Sequence, residues 1–60
     1  MCEFSVYLDE KKVFDEAIYC RVRNGKLILK DILGQTKEFM NCHIVEVDVT
    51  KEKLSLQYDL

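Results

Sequence analysis

The stretch Ile18-Tyr19-Cys20-Arg21-Val22-Arg23-Asn24-Gly25-Lys26-Leu27-Ile28-Leu29 decides the fold of this chain. Ile18, Cys20 and Val22 alternate with Tyr19, Arg21 and Arg23, the period of two that marks a half-buried strand. Asn24-Gly25 follows, the pair that most readily takes positive φ at both centres of a two-residue turn, so a tight hairpin should join this strand to the next. The run Lys26 to Leu33 then carries Leu27, Ile28, Leu29, Ile32 and Leu33 on both parities. Apolar side chains on both faces suggest a closed barrel, or a sheet with a partner chain on its outside.

The same period extends in both directions. Cys2, Phe4, Val6 and Leu8 alternate with Glu3, Ser5, Tyr7 and Asp9, and the polar Asp9 to Lys12 reads as a turn. Gly34-Gln35-Thr36 marks a further turn before a short strand over Lys37 to Met40. Val45, Val47 and Val49 then alternate with Glu46, Asp48 and Thr50, and after Thr50-Lys51-Glu52-Lys53 the residues Leu54, Leu56 and Tyr58 close the chain with a strand. One stretch competes for a turn of helix, because Val13, Phe14, Ala17, Ile18 and Arg21 fall at helical spacing. Elsewhere the β-branched and aromatic residues and the frequent turns predict five or six short antiparallel strands. A small SH3-like or Sm-like barrel is the natural package, since closure hides sheet edges and gathers alternate residues into one core.

With 60 residues, 48% apolar, 33% charged and no proline, the chain is expected to form one domain over residues 1–60. A chain this short buries only about 60% of its unfolded surface, and a single core seldom supplies more than roughly 3–5 kcal/mol. Disulfides, a metal or self-association commonly make up the difference. No apolar run approaches the about 20 residues a membrane helix needs. The start Met1-Cys2-Glu3-Phe4-Ser5 lacks the basic and apolar regions of a secretory signal, so a cytoplasmic location is expected. A reducing cytoplasm would keep the three cysteines as free thiols. Nine basic and eleven acidic side chains leave a net charge of −2, the wrong sign for gripping phosphate backbones.

Catalysis is poorly provided for. There is one histidine, and no phosphate loop, nucleophile elbow or zinc-protease motif. The acid pairs Asp9-Glu10, Asp15-Glu16 and Glu46/Asp48 read as solvated surface, so no enzymatic activity is expected. Among the thiols, Cys20 is in phase with Ile18 and Val22 and should pack as a small apolar side chain. Cys42 and His43 are neighbours that a strand would point to opposite faces, so they could share an ion only within a turn. Cys2 stands beside the α-amino group of Met1, and amine, intervening amide nitrogen and thiolate can chelate one ion together. Such a soft, planar donor set suits Ni(II) or Cu(II), and a twofold axis could complete it from two identical chains. On chemistry alone, the reading of Cys2 as the first residue of the core face shared with Phe4, Val6 and Leu8 comes before that of a ligand.

The Met1-Cys2 opening into an alternating strand, the central Leu27-Ile28-Leu29-Lys30-Asp31-Ile32-Leu33-Gly34 and the valine-rich acidic strand over Ile44 to Val49 together resemble the CooT family. These are small cytoplasmic nickel-binding proteins linked to maturation of the nickel-containing carbon monoxide dehydrogenase. The resemblance implies a homodimer of small SH3-like or Sm-like β-barrels that carries Ni(II) as cargo, about one per dimer. It places the metal ligand on Cys2, with the Met1 amino group and the Cys2 backbone nitrogen as co-ligands, and makes a nickel enzyme or its maturation factors the expected partner. A different class of function is a metal-free, Sm-like RNA-binding module using Tyr7, Tyr19, Arg21 and Arg23, which the acidic excess opposes. A dimeric scaffold with Cys2 in its core is the third reading.

Overall fold

The computed structural model describes residues 2–59. Six strands make one sheet: β1 (Phe4–Leu8), β2 (Lys11–Arg23), β3 (Lys26–Asp31), β4 (Thr36–Met40), β5 (Cys42–Asp48) and β6 (Lys53–Tyr58). Their order across the sheet is β4-β3-β2-β1-β6-β5, so β4 and β5 are its two ends. Neighbours are antiparallel except β1 and β6, which run parallel with Val6 opposite Leu54 and Leu8 opposite Leu56. This parallel pair brings the two ends of the chain into adjacent strands.

The hairpin at Asn24-Gly25 forms as the sequence predicts, with φ of 52° and 75° at its two centres. The turn between β1 and β2 uses the same handedness at Asp9 and Glu10, with φ of 50° and 69°. Strand β2 therefore starts at Lys11 and runs unbroken for 13 residues through the stretch that competes for helix. Its helical spacing comes from β-bulges, each of which sets one extra residue against the partner strand and shifts the phase by one. Phe4 faces Ala17 while Val6 faces Phe14, so Asp15 and Glu16 crowd the space of a single residue, with Glu16 at φ 54°. Asp15 holds the bulge: its Oδ1 accepts from Glu16 N at 3.0 Å and Ser5 Oγ at 3.3 Å, and its Oδ2 lies 3.1 Å from Lys12 Nζ. Val13, Phe14 and Ala17 all reach the core in consequence.

The turn after β3 is closed by Asp31, whose Oδ1 accepts from Leu33 N and Gln35 N, both at 2.9 Å, with Gly34 at φ 86°. The buried core comprises Val6, Leu8, Ala17, Leu27, Leu29, Cys42, Leu54 and Leu56, with Phe4, Val13, Phe14 and Phe39 packed against it. The apolar residues of Leu27 to Leu33 divide by parity as well as by burial. Leu27 and Leu29 are fully buried, Ile28 is half-buried on the opposite face, and Ile32 and Leu33 are exposed after the strand.

Two expectations about burial are corrected. Cys20 and Val22 stand opposite Leu29 and Leu27, on the core face, yet both are exposed because the strands at this flank do not cover them. In β5 a bulge at Val45 breaks the valine alternation: Ile44 faces Leu56 and Val47 faces Leu54, while Glu46 faces Ser55. Val45, Val47 and Val49 are all more than half exposed, so none of them completes the core.

Candidate metal centre at the amino-terminal cysteine

The three thiols occupy three different environments. Cys42, at the start of β5, is 2% exposed and belongs to the core. Its burial, and secondarily the charge of Asp59 nearby, pushes its thiol pKa up. His43 points to the other side of β5, where its Nδ1 lies 2.6 Å from Asp59 Oδ1. The adjacent Cys42 and His43 therefore do not converge on one ion, as strand geometry requires.

Cys20 is exposed along an apolar groove of about 200 Å³ that runs between β2 and β5, lined by Phe4, Ala17, Ile18, Ile44, Val47 and Leu54 among others. Partial burial of its sulfur against these residues raises the thiol pKa, and the neighbouring Cys42 adds to the shift. Both shifts favour the neutral thiol over the thiolate that binds metal. The groove was not legible in the sequence, because it exists only where the bulges at Ile18 and Val45 turn apolar residues off the core. The only sequence signal for it is the excess of apolar residues over what two-residue alternation accounts for.

Cys2 is exposed and precedes β1. It is no part of the core that Phe4, Val6 and Leu8 join, so the expectation of a core Cys2 does not hold. The backbone just after it is anchored: Glu3 N donates to Glu52 Oε2 at 3.3 Å and Ser5 N donates to Glu52 O at 2.9 Å. An exposed thiol thus stands two residues before Phe4, the first residue of the fixed strand β1 and one of the residues lining the apolar groove. Met1, the second expected ligand, lies outside the described residues. Among the described residues no three His, Cys, Asp or Glu side chains gather to hold an ion. A closed tetrahedral cage of side chains is therefore not offered by one described chain.

Of the residues expected for an RNA-binding surface, Tyr19, Arg21 and Arg23 follow one another along β2, while Tyr7 lies elsewhere. The Tyr7 ring has Lys53 Nζ 4.9 Å from its centroid and lines a separate depression with Asp9 and Glu10. The four do not form one site. No helix is long and apolar enough to cross a membrane among the described residues.

Residues 1–57 match the family model described as CO dehydrogenase accessory protein CooT. A search of curated proteins found no match.

Proposed function

We propose, from the premise that this chain belongs to the CooT family of CO dehydrogenase accessory proteins, that it is a nickel carrier that binds Ni(II) at Cys2. Membership implies an accessory role toward CO dehydrogenase. Cys2 would supply the thiolate, with its backbone nitrogen and the Met1 amine as co-ligands, and a second chain could share the ion through its own Cys2. The protein holds and transfers the ion in the cytoplasm and carries out no chemical turnover.

The observation that carries this reading is the exposure of Cys2 beside an anchored strand, in a chain whose other two thiols are held toward their neutral forms. A ligand set at a chain end can be surrendered by exchange, whereas a buried cage cannot, and that suits a carrier. The apolar groove supports the dimer: Ile18, Ile44 and Val47 are 45%, 39% and 56% exposed along it. Covering those side chains with a second copy removes apolar surface from water. Dimerisation also supplies stability that a 60-residue core lacks.

Native mass spectrometry of the reduced, nickel-loaded protein tests the shared site. A dimer carrying about one Ni(II) per two chains is expected from twofold symmetry. A monomer carrying its own ion contradicts it.

A further inference from the structure

The outward face of β2, β3 and β4 is charged differently from the rest of the molecule. The β-ladders arrange it in three rows: Tyr19, Lys30 and Thr36; Arg21, Ile28 and Glu38; Arg23, Lys26 and Met40. Opposed residues in a ladder share a face, so these side chains stand together on the side opposite Leu27 and Leu29. Between Ala17 and Lys30 the sequence has four cations, Arg21, Arg23, Lys26 and Lys30, and no acidic residue. The three rows hold one acidic residue, Glu38, and the other five basic side chains stand with the remaining ten acidic ones elsewhere in the chain. A protein of net charge −2 has therefore gathered positive charge on one sheet face.

That face is shaped as well as charged. Arg21, Arg23, Asn24 and Lys26 rim a depression of about 340 Å³ whose floor is the half-buried Ile28 and Met40, the latter 54% exposed. Lys26 is partly engaged by Glu38 at 3.7 Å. Neither Arg21 nor Arg23 has an ion-pair partner among the described residues, and both are exposed. A guanidinium presents a planar fork that matches a carboxylate through two parallel hydrogen bonds.

We propose that this face is a docking surface for an acidic protein segment, whose carboxylates pair with Arg21 and Arg23 and whose aliphatic side chain fills the depression over Ile28 and Met40. The aliphatic floor separates this partner from a nucleic acid. Single strands bind by stacking bases on aromatic rings, and the one aromatic residue in the three rows, Tyr19, already has Lys30 Nζ 5.2 Å from its ring centroid. Arginine and methionine around an apolar centre are the composition of a protein interface. The surface lies outside the Cys2 region and stands whether or not Cys2 carries nickel.

The test is a titration of ¹⁵N-labelled protein, at low ionic strength, with the N-acetylated and C-amidated peptide Glu-Glu-Leu-Glu-Glu. Amide shifts should concentrate at Arg21, Arg23, Lys26, Ile28 and Met40. The double variant Arg21→Glu, Arg23→Glu should bind about tenfold more weakly or worse, because attraction becomes repulsion, while its amide dispersion shows the fold intact. Replacing the peptide's leucine by alanine should weaken binding by roughly fivefold, the value of the lost apolar contact. Absent binding, shifts elsewhere on the molecule, or unchanged affinity of the double variant overturns the proposal. So does an oligothymidylate of equal charge that binds this face more tightly than the peptide.

Discussion

Cys20 and Leu29 stand opposite one another across the β2–β3 ladder, yet Leu29 has no exposed surface and Cys20 opens onto the groove. One ladder position thus marks where the core ends and the apolar groove begins. Cys2 is exposed, Cys20 is exposed with its thiol partly buried against the groove, and Cys42 is sealed in the core.

Alkylation of the reduced, metal-free protein should follow that order. Cys2 should react first, Cys20 more slowly because partial burial raises its pKa, and Cys42 only on unfolding. Peptide mapping after a timed iodoacetamide pulse reads the order. Cys42 reacting as fast as Cys2 in the folded protein would contradict the core assignment.

The buried thiol also sets an alkaline limit. Folding raises the Cys42 pKa above the ordinary value of 9.0, so the unfolded chain loses this proton at lower pH than the folded one does. The stabilising contribution is complete below that ordinary value and is lost as pH rises through the folded-state value. Chemical denaturation at a series of alkaline pH values should show the decline, and Cys42→Ala should make it shallower, the remainder belonging to Cys20. An equally steep decline in that variant would assign it to other groups.

Asp15 gives the opposite dependence. The Lys12 ammonium, followed by the Glu16 amide, holds its carboxyl below the ordinary 3.8. Its contribution is therefore present above that value and lost as pH falls through the depressed one. A carboxyl-carbon NMR titration should place Asp15 below 3.8, and Asp15→Ala should bring Glu16 out of its positive-φ conformation. An Asp15 titrating at the ordinary value would remove it as the clamp of this bulge.

How far the fold is legible in the sequence depends on these bulges. Where the ladder is regular, as in Val6 and Leu8 or Leu54 and Leu56, alternation identifies the buried face directly. The Asn24-Gly25 turn is equally plain, since positive φ has few residue solutions. Alternation fails at Glu16, Ile18 and Val45, where an extra residue flips the phase, and this is why Val13 to Ala17 imitates helix and Val45 to Val49 imitates a core strand. No local pattern announces a bulge, because the partner strand decides where it falls. For the candidate site, the sequence points to Cys2, whereas the exposed groove follows from the bulges, which no local pattern announces.

Leu29→Ala tests the size of the core. Removing a fully buried leucine costs about 2–5 kcal/mol, comparable to the roughly 3–5 kcal/mol a core of this size supplies. Circular dichroism should show the variant largely unfolded at low concentration, with more folded protein as concentration rises if dimerisation supplies the remainder. A cooperative melt unchanged from the parent would refute the central place given to Leu29.

Gly25 separates backbone strain from crowding. A Cβ at this position meets nothing within 4 Å, and only φ of 75° opposes it. Gly25→Ala should therefore cost about 1–2 kcal/mol, read as a lower midpoint in urea with an unchanged slope. A changed slope would indicate altered compactness in place of local strain.

The proposed nickel ligand is the Cys2 thiolate. Titrating the reduced protein and its Cys2→Ser variant with Ni(II), while recording thiolate-to-metal absorption, addresses it most directly. The parent should develop the band and saturate at about one ion per two chains, and the variant should develop neither band nor stoichiometric binding. Stoichiometric binding by Cys2→Ser with an undiminished band would contradict the account.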